Sequence, residues 1–317
     1  MPARIAIWTP AARHAHTGNR VTALRIAALL RRFGRAVRVR GPGEAIDARA
    51  DVLIALHAHK CAEVAARWCS ERGAAPLVVV LTGTDVYGDA LEPVTLAAAT
   101  RVVALQERAL LALPPPLRAK ARVILQSARP YPTASTPRGS KLFAVQLAHL
   151  RAVKDPLLAA RALRRLPSRS RWELFHFGDA LDAALAEEAR RETAANRRYH
   201  WRSGVRRAQA LMLLRQAHAF VQTSTAEGGS NAVAEAIVSG VPILATRIEG
   251  AVGQLGADHP GLFDVGDEAG LADLLERLDR SDILDELLRR RSAELAPRFA
   301  PEREAAAWLA LLAEFGC

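Results

Sequence analysis

The chain has 317 residues, half of them hydrophobic, with 44 Lys and Arg against 33 Asp and Glu for a net charge of +11. That length and apolar content suit about two domains with cores of their own, and with no apolar run of about 18 residues a transmembrane helix is not expected. The cations are almost all arginine, are scattered along the chain, and stand among only 5% aromatics, whereas a nucleic-acid face concentrates charge and interleaves aromatic rings.

In chain order, Arg4 to Trp8 reads as a strand and Asn19 to Phe33 as an amphipathic helix stopped by Gly34. Val37 to Arg40, Val52 to His57, Leu77 to Leu81, Val102 to Leu105 and Val123 to Leu125 are further short apolar runs. Such runs, separated by helical patterns, predict a parallel sheet covered on both faces. The Pro-rich stretch Ala128 to Ser140 reads as a linker. A second alternating set follows, with strands at Leu142 to Leu147, Trp172 to Phe177, Tyr199 to Trp201, Ala219 to Thr223 and Val241 to Ala245. Helices are expected at Pro156 to Leu166, Ala180 to Ala195 and Arg207 to Ala217. From Gly270 onward the pattern is helical, broken at Pro297 and Pro301, with a last helix over Glu302 to Phe315. The N-terminus enters its strand without the regions of a signal peptide, and Cys61, Cys69 and Cys317 have no metal-like spacing. Both features fit a reducing cytoplasm.

The most informative stretch is Thr223 to Thr246. Glu227 and Glu235 lie astride Gly228 and Gly229, which read as a flexible turn. Ser230 or Asn231 can cap a helix that runs to Ser239, and Gly240 ends it. A helix N-terminus presents unpaired N–H groups and partial positive charge, which suit a diphosphate. Glu227, just before the turn, can accept hydrogen bonds from sugar hydroxyls, and Glu235, about one turn into the helix, can hold both hydroxyls of a ribose. Two doubly wound sheets bind ligands at the carboxyl ends of their strands. The loops expected there are Thr17 to Arg20, His57 to Lys60, Thr82 to Asp85, Gln126–Ser127, His149 to Pro156 and Gly178–Asp179. The first strand is followed by no G-x-G-x-x-G, which argues against a dinucleotide-dependent dehydrogenase.

These residues resemble the GT-B glycosyltransferases of family 4 over nearly the whole chain. The resemblance implies an α/β fold of two doubly wound Rossmann-like domains facing a central cleft. It places an acceptor-side domain at 1–135, a nucleotide-sugar domain at 136–300, and a C-terminal helix, 301–317, that returns to the first domain. It implies Glu227 on the donor sugar, the backbone from Gly228 and Gly229 through Ser230, Asn231 and Ala232 on the diphosphate, and Glu235 on the ribose. The family's Arg and Lys after the first strand of the second domain are matched by Lys154, while the arginine position reads His149 with Arg151 two residues on. Many members carry a His after the fourth strand; here that position is Thr82. A hydroxyl acceptor needs help losing its proton, whereas an acceptor that is already an anionic nucleophile does not. Gly18, Asn19, Arg20, Thr82, Thr84, Asp85 and Gln126 are the candidates to hold it.

A narrower likeness is to the selenosugar synthases of selenoneine biosynthesis. It rests on Gly-Asn-Arg-Val-Thr-Ala from Gly18, Leu-Thr-Gly-Thr-Asp-Val-Tyr from Leu81, His-Leu-Arg-Ala-Val-Lys-Asp-Pro from His149 and Glu-Gly-Gly-Ser-Asn-Ala-Val from Glu227. This likeness implies a cytoplasmic enzyme that joins selenophosphate to the anomeric carbon of a UDP-sugar, with N-acetylglucosamine as the implied sugar, and releases UDP and phosphate. The 1-selenosugar would pass to later selenoneine-pathway enzymes as functional partners. UDP-sugar is then a co-substrate, and no cofactor, metal, membrane or nucleic acid is expected. His57 and His59 are candidates to assist phosphate loss. The alternative is a conventional retaining enzyme of the family acting on a lipid, polysaccharide or small alcohol.

Overall fold

Twelve short strands, most of them rich in Val, Ile, Leu and Ala, form in the computed structural model, which describes residues 3–15, 17–87 and 91–317. The chain divides into two units. One comprises 1–127, 227–231 and 298–317; the other comprises 128–226 and 232–297.

In the first unit β1 (Arg4–Trp8), β2 (Ala36–Arg40), β3 (Val52–Leu56), β4 (Leu77–Leu81), β5 (Arg101–Ala104) and β6 (Ala121–Val123) make one sheet in the order β2-β1-β3-β4-β5-β6. Every pairing is parallel. Parallel neighbours need crossover connections, supplied by α1 (Gly18–Arg32), α2 (Ala62–Arg72), α3 (Pro93–Ala98) and α4 (Pro115–Ala119). All five residues of β3 and of β4 are buried, which is why these runs are continuously apolar rather than alternating. Ile26 and Leu30 of α1 share a core with Ile5, Ile54 and Val80 on one face of the sheet, while Trp68 and Leu96 join Leu53, Val79 and Val102 on the other.

The second unit repeats the plan with β7 (Leu142–Leu147), β8 (Trp172–Phe177), β9 (Tyr199–Arg202), β10 (Ala219–Gln222), β11 (Ile243–Thr246) and β12 (Leu262–Phe263). The order is β12-β11-β10-β7-β8-β9, again all parallel. Its helices are α5 (Leu158–Arg165), α6 (Ala183–Ala195), α7 (Arg207–Gln216), α8 (Asn231–Val238, whose first residue belongs to the first unit), α9 (Glu249–Leu255), α10 (Glu268–Arg280) and α11 (Asp282–Leu295). The last helix, α12 (Pro301–Ala313), belongs to the first unit, where Trp308, Leu311 and Leu312 pack into the core that α1 lines. Strand β12 and helix α9 are additions to the sequence reading; two residues are too few to show a period of two.

Backbone closeness fixes the carboxyl end of β8. A side chain on Gly178 would place its Cβ 1.8 Å from the carbonyl oxygen of Ala148, so only glycine lets these two loops lie together. Beside them the fully buried His176 accepts from the Tyr199 hydroxyl at Nδ1 (2.8 Å) and donates from Nε2 to the Ala148 carbonyl (2.8 Å). Both bonds suit the neutral ring, and burial pushes its pKa down to about 4.

Because the unfolded His176 titrates near 6.5 and the folded one near 4, the unfolded state binds the extra proton between those values. Folding stability therefore falls as pH drops through that window and is fully retained above it. Thermal denaturation from pH 7 to pH 4.5 is expected to give a falling midpoint, with a shallower slope in His176→Gln; equal slopes would remove His176 as a source.

Candidate functional site

In the first unit the candidates cluster at the carboxyl edge of the sheet. Asp85, in the loop after β4, is fully buried. Its carboxylate accepts from the backbone N–H of Ala58 (2.8 Å), Thr82 (3.2 Å) and Gly83 (2.8 Å). Sequence reading placed it among the acceptor ligands, but its oxygens tie the loop after β4 to the loop after β3. Asp85 shapes the edge instead of facing solvent. Beside it, His57 is one of two non-glycine residues with positive φ among those described, at +71°. Its Nδ1 lies 3.8 Å from Asp85 Oδ2 and has no hydrogen-bond partner. Burial holds the imidazole below its ordinary pKa, with the Asp85 carboxylate opposing the shift. His59 is exposed, 3.7 Å from Glu92.

The loop that opens α1 lies along the same edge, since β1 adjoins β3. Thr17 precedes the helix without making a side-chain cap, and no acid lies in the first turn. Thr17 Oγ1, Arg20 Nε and Thr82 Oγ1 are buried with no partner. Gly18 and Thr84 are exposed and Asn19 is half-buried.

The glycine turn also packs within this unit. Gly228 and Gly229 are not among the positive-φ glycines, so flexibility is not what the pair supplies. Close approach is. A Cβ on Gly228 would sit 2.9 Å from the Gly83 nitrogen, and one on Gly229 would sit 2.7 Å from Leu105 Cβ. Gln126 donates from Nε2 to the Gly229 carbonyl (2.8 Å) and accepts at Oε1 from the Thr22 hydroxyl (2.7 Å). Asn231 does not spend its side chain as a helix cap: Nδ2 donates to Thr22 Oγ1 (3.2 Å) and to the Gly18 carbonyl (3.4 Å). Gly18, Gln126, Gly229 and Asn231, expected at separate subsites, are thus joined through Thr22. Glu227 and Ser230 are buried and Ala232 is half-buried.

In the second unit Lys154 ends a single 3-10 turn, Ala152–Lys154, followed by Asp155 at φ +34°. That turn is stapled to the end of β10. Thr225 N donates to the Val153 carbonyl (2.9 Å), and Thr223 Oγ1 donates to the Lys154 carbonyl (2.8 Å). The left-handed Asp155, unusual for a non-glycine residue, lets the chain turn sharply ahead of Pro156 and α5. Arg151 is exposed. His149 is half-buried and accepts at Nδ1 from the Asp179 backbone N–H (3.0 Å). Glu235, buried in α8, pairs with Arg207 at the start of α7.

Arg207 and Arg25, which holds both Gln126 and Asn231, were not singled out by sequence. An arginine in an Arg-rich chain carries no local mark, and only its neighbours in space give it a role. Among the described residues no group of three or more His, Cys, Asp and Glu could hold a metal ion.

Residues 131–294, more than half of the chain, match the family described as glycosyl transferases group 1. Anabaena HepE in complex with UDP and glucose is similar in fold, with TM-score 0.79, 16% identity, and coverage of 98% of this chain and 100% of HepE. A glycosyltransferase from Rickettsia africae gives TM-score 0.78 and 14% identity over 99% of this chain and 98% of its own. The pneumococcal O-GlcNAc transferase GtfA in complex with UDP and GlcNAc gives TM-score 0.66 and 16% identity over 93% and 60%. No curated protein is similar in sequence. The two parallel-sheet units are those of the GT-B fold.

The tight packing of the turn is directly testable. Gly229→Ala must push Leu105 or the turn aside, and overpacking of this kind costs about 1–3 kcal/mol. A thermal midpoint several degrees lower is expected, and an unchanged midpoint would show that the backbone yields there.

Proposed function

The chain belongs to the group 1 glycosyl transferases, and we propose that it transfers a sugar, N-acetylglucosamine by resemblance, from a UDP-sugar to selenophosphate. The observation that carries the acceptor assignment is the set of buried polar atoms without partners at the first sheet's carboxyl edge: Thr17 Oγ1, Arg20 Nε and Thr82 Oγ1. A buried donor left unmade costs about 1–3 kcal/mol, and Thr17 and Arg20 belong to a helix start with no acid in its first turn. A small anion satisfies such groups. With Thr82 where relatives carry a His, the edge offers this nucleophile donors in place of a base. Gly18, Asn19, Thr84 and Gln126 complete the acceptor set, and Asp85 fixes its loop.

On the donor side, HepE has been crystallised with UDP and with UDP-glucose, and GtfA with UDP and GlcNAc, which supports a UDP-sugar here. Glu235 takes the ribose and Glu227 the sugar hydroxyls. The N–H groups from Gly228 to Ala232 take the diphosphate, together with Lys154, Arg151 and His149. Selenium attacks the anomeric carbon as the C–O bond breaks, and the electron pair leaves on UDP. Charge grows on the diphosphate at that moment, so its cations and N–H groups are the principal catalytic contribution. Water then cleaves the P–Se bond, giving phosphate and the 1-selenosugar. The chemistry needs no metal or cofactor, and the enzyme would act in the cytoplasm ahead of later steps of selenoneine formation.

Purified protein incubated with selenophosphate and a panel of UDP-sugars is expected to yield a product with the selenium isotope pattern by mass spectrometry. Transfer only to offered alcohols or sugars would favour the hydroxyl-acceptor alternative. Glu235→Ala is expected to weaken UDP binding in calorimetry by about tenfold or more, the loss of one or two charge-assisted hydrogen bonds; unchanged affinity would remove it from the ribose. Lys154→Ala is expected to lower kcat by about a hundredfold with the fold intact, near 3 kcal/mol of transition-state stabilisation.

A further inference from the structure

We propose that Arg25 is a positioning residue for the transfer reaction, the hub through which α12 and α1 hold the glycine turn and Gln126 in register. The inference rests on the reading of that turn as the donor-diphosphate element. It adds residues that neither the sequence motifs nor the family match single out.

Arg25 uses all three of its guanidinium nitrogens. Nε donates to Glu304 of α12 (2.9 Å), Nη1 to Asn231 Oδ1 (2.6 Å) and Nη2 to Gln126 Oε1 (2.7 Å). With Thr22 these bonds close a ring. Asn231 donates to Thr22, Thr22 donates to Gln126 Oε1, and Arg25 donates both to Asn231 Oδ1 and to that same Gln126 oxygen. Thr22 and Arg25 are three apart on α1, so they project from the same helix face. The ring therefore fixes the first residue of α8 and, through the bond from Gln126 to the Gly229 carbonyl (2.8 Å), the turn before it.

Glu304 sets the orientation of the hub. Its side chain is 2% exposed, against 15% for Arg25. It accepts from both the backbone N–H of Ser127 (2.7 Å) and the Ser127 hydroxyl. A buried ion pair adds little net stability, because desolvation offsets its attraction. Its contribution here is direction: with Nε committed to Glu304, the two Nη arms can point only at Asn231 and Gln126. Lysine, a point charge without the planar fork, cannot reproduce that geometry. Two candidate sites that sequence reading treated as separate, the acceptor residue Gln126 and the diphosphate turn, thus share one cation.

The test measures UDP release from UDP-N-acetylglucosamine in the full-length protein, with selenophosphate and, separately, with water alone as acceptor. UDP affinity and thermal midpoint are taken on the same samples. Arg25→Lys is expected to lower kcat at least twentyfold in both reactions while the Kd for UDP changes less than threefold. Asn231→Ala removes one arm with the ion pair in place and carries the test if Arg25→Lys fails to fold; it is expected to lower kcat at least fivefold. The double variant is expected to be no slower than Arg25→Lys alone, because both changes cut the same link. Either single variant within twofold of wild type, or losses that multiply in the double, would overturn the proposal. Wild-type protein that releases UDP with water but not with selenophosphate would sink the acceptor assignment and leave the role of Arg25 to be read from the hydrolysis rates.

Discussion

The candidate site depends on one constraint within the first unit: residues 227–231 must pass close to the loops after β4 and β5. Gly228 lies where any Cβ would strike the Gly83 backbone, and Gly229 where it would strike Leu105. That proximity is what allows the Gln126 amide to reach the Gly229 carbonyl. Because the carbonyl is held, the N–H groups that follow it at the start of α8 point in a set direction. A helix N-terminus binds an anion well only when its free donors are fixed in advance. The glycines, the amide and the arginine behind it act on the same few atoms.

Legibility from sequence followed the range of the signal. Strands β3, β4 and β7 were plain because buried parallel strands are short, mostly apolar runs. The stop at Gly240 was plain because a left-handed residue ends a helix, and its φ is +65°. The two-residue β12 and the short α9 carried no period and went unread. The same divide runs through the site. Glu227, Lys154 and Glu235 sit in a local pattern with its own chemistry, whereas Arg25 and Glu304 are far apart in sequence and meet only because α12 packs on α1. The glycine pair was located by sequence but its purpose was misread, since bond rotation and close approach leave the same letters.

Asp85 shows a related limit. A carboxylate in a loop after a parallel strand looks like a ligand for something outside. Here three backbone N–H groups claim it, and the cost of burying the charge is met by those bonds. The neighbouring strain at His57 and the left-handed Asp155 after Lys154 mark two loops whose shapes are held by their surroundings rather than by local preference. Both loops stand at strand ends, where a doubly wound sheet presents its ligand-binding groups.

The pairing of Glu235 with Arg207 bears on what a visiting molecule encounters. The acid is buried while its arginine partner is half open to solvent, so a vicinal diol arriving there meets an occupied oxygen and must share or evict a guanidinium. Recognition of such a diol at that spot would be an exchange of partners. Its net strength reflects the difference between two bonds, and dissolved salt, by loosening the resident cation, would favour the newcomer.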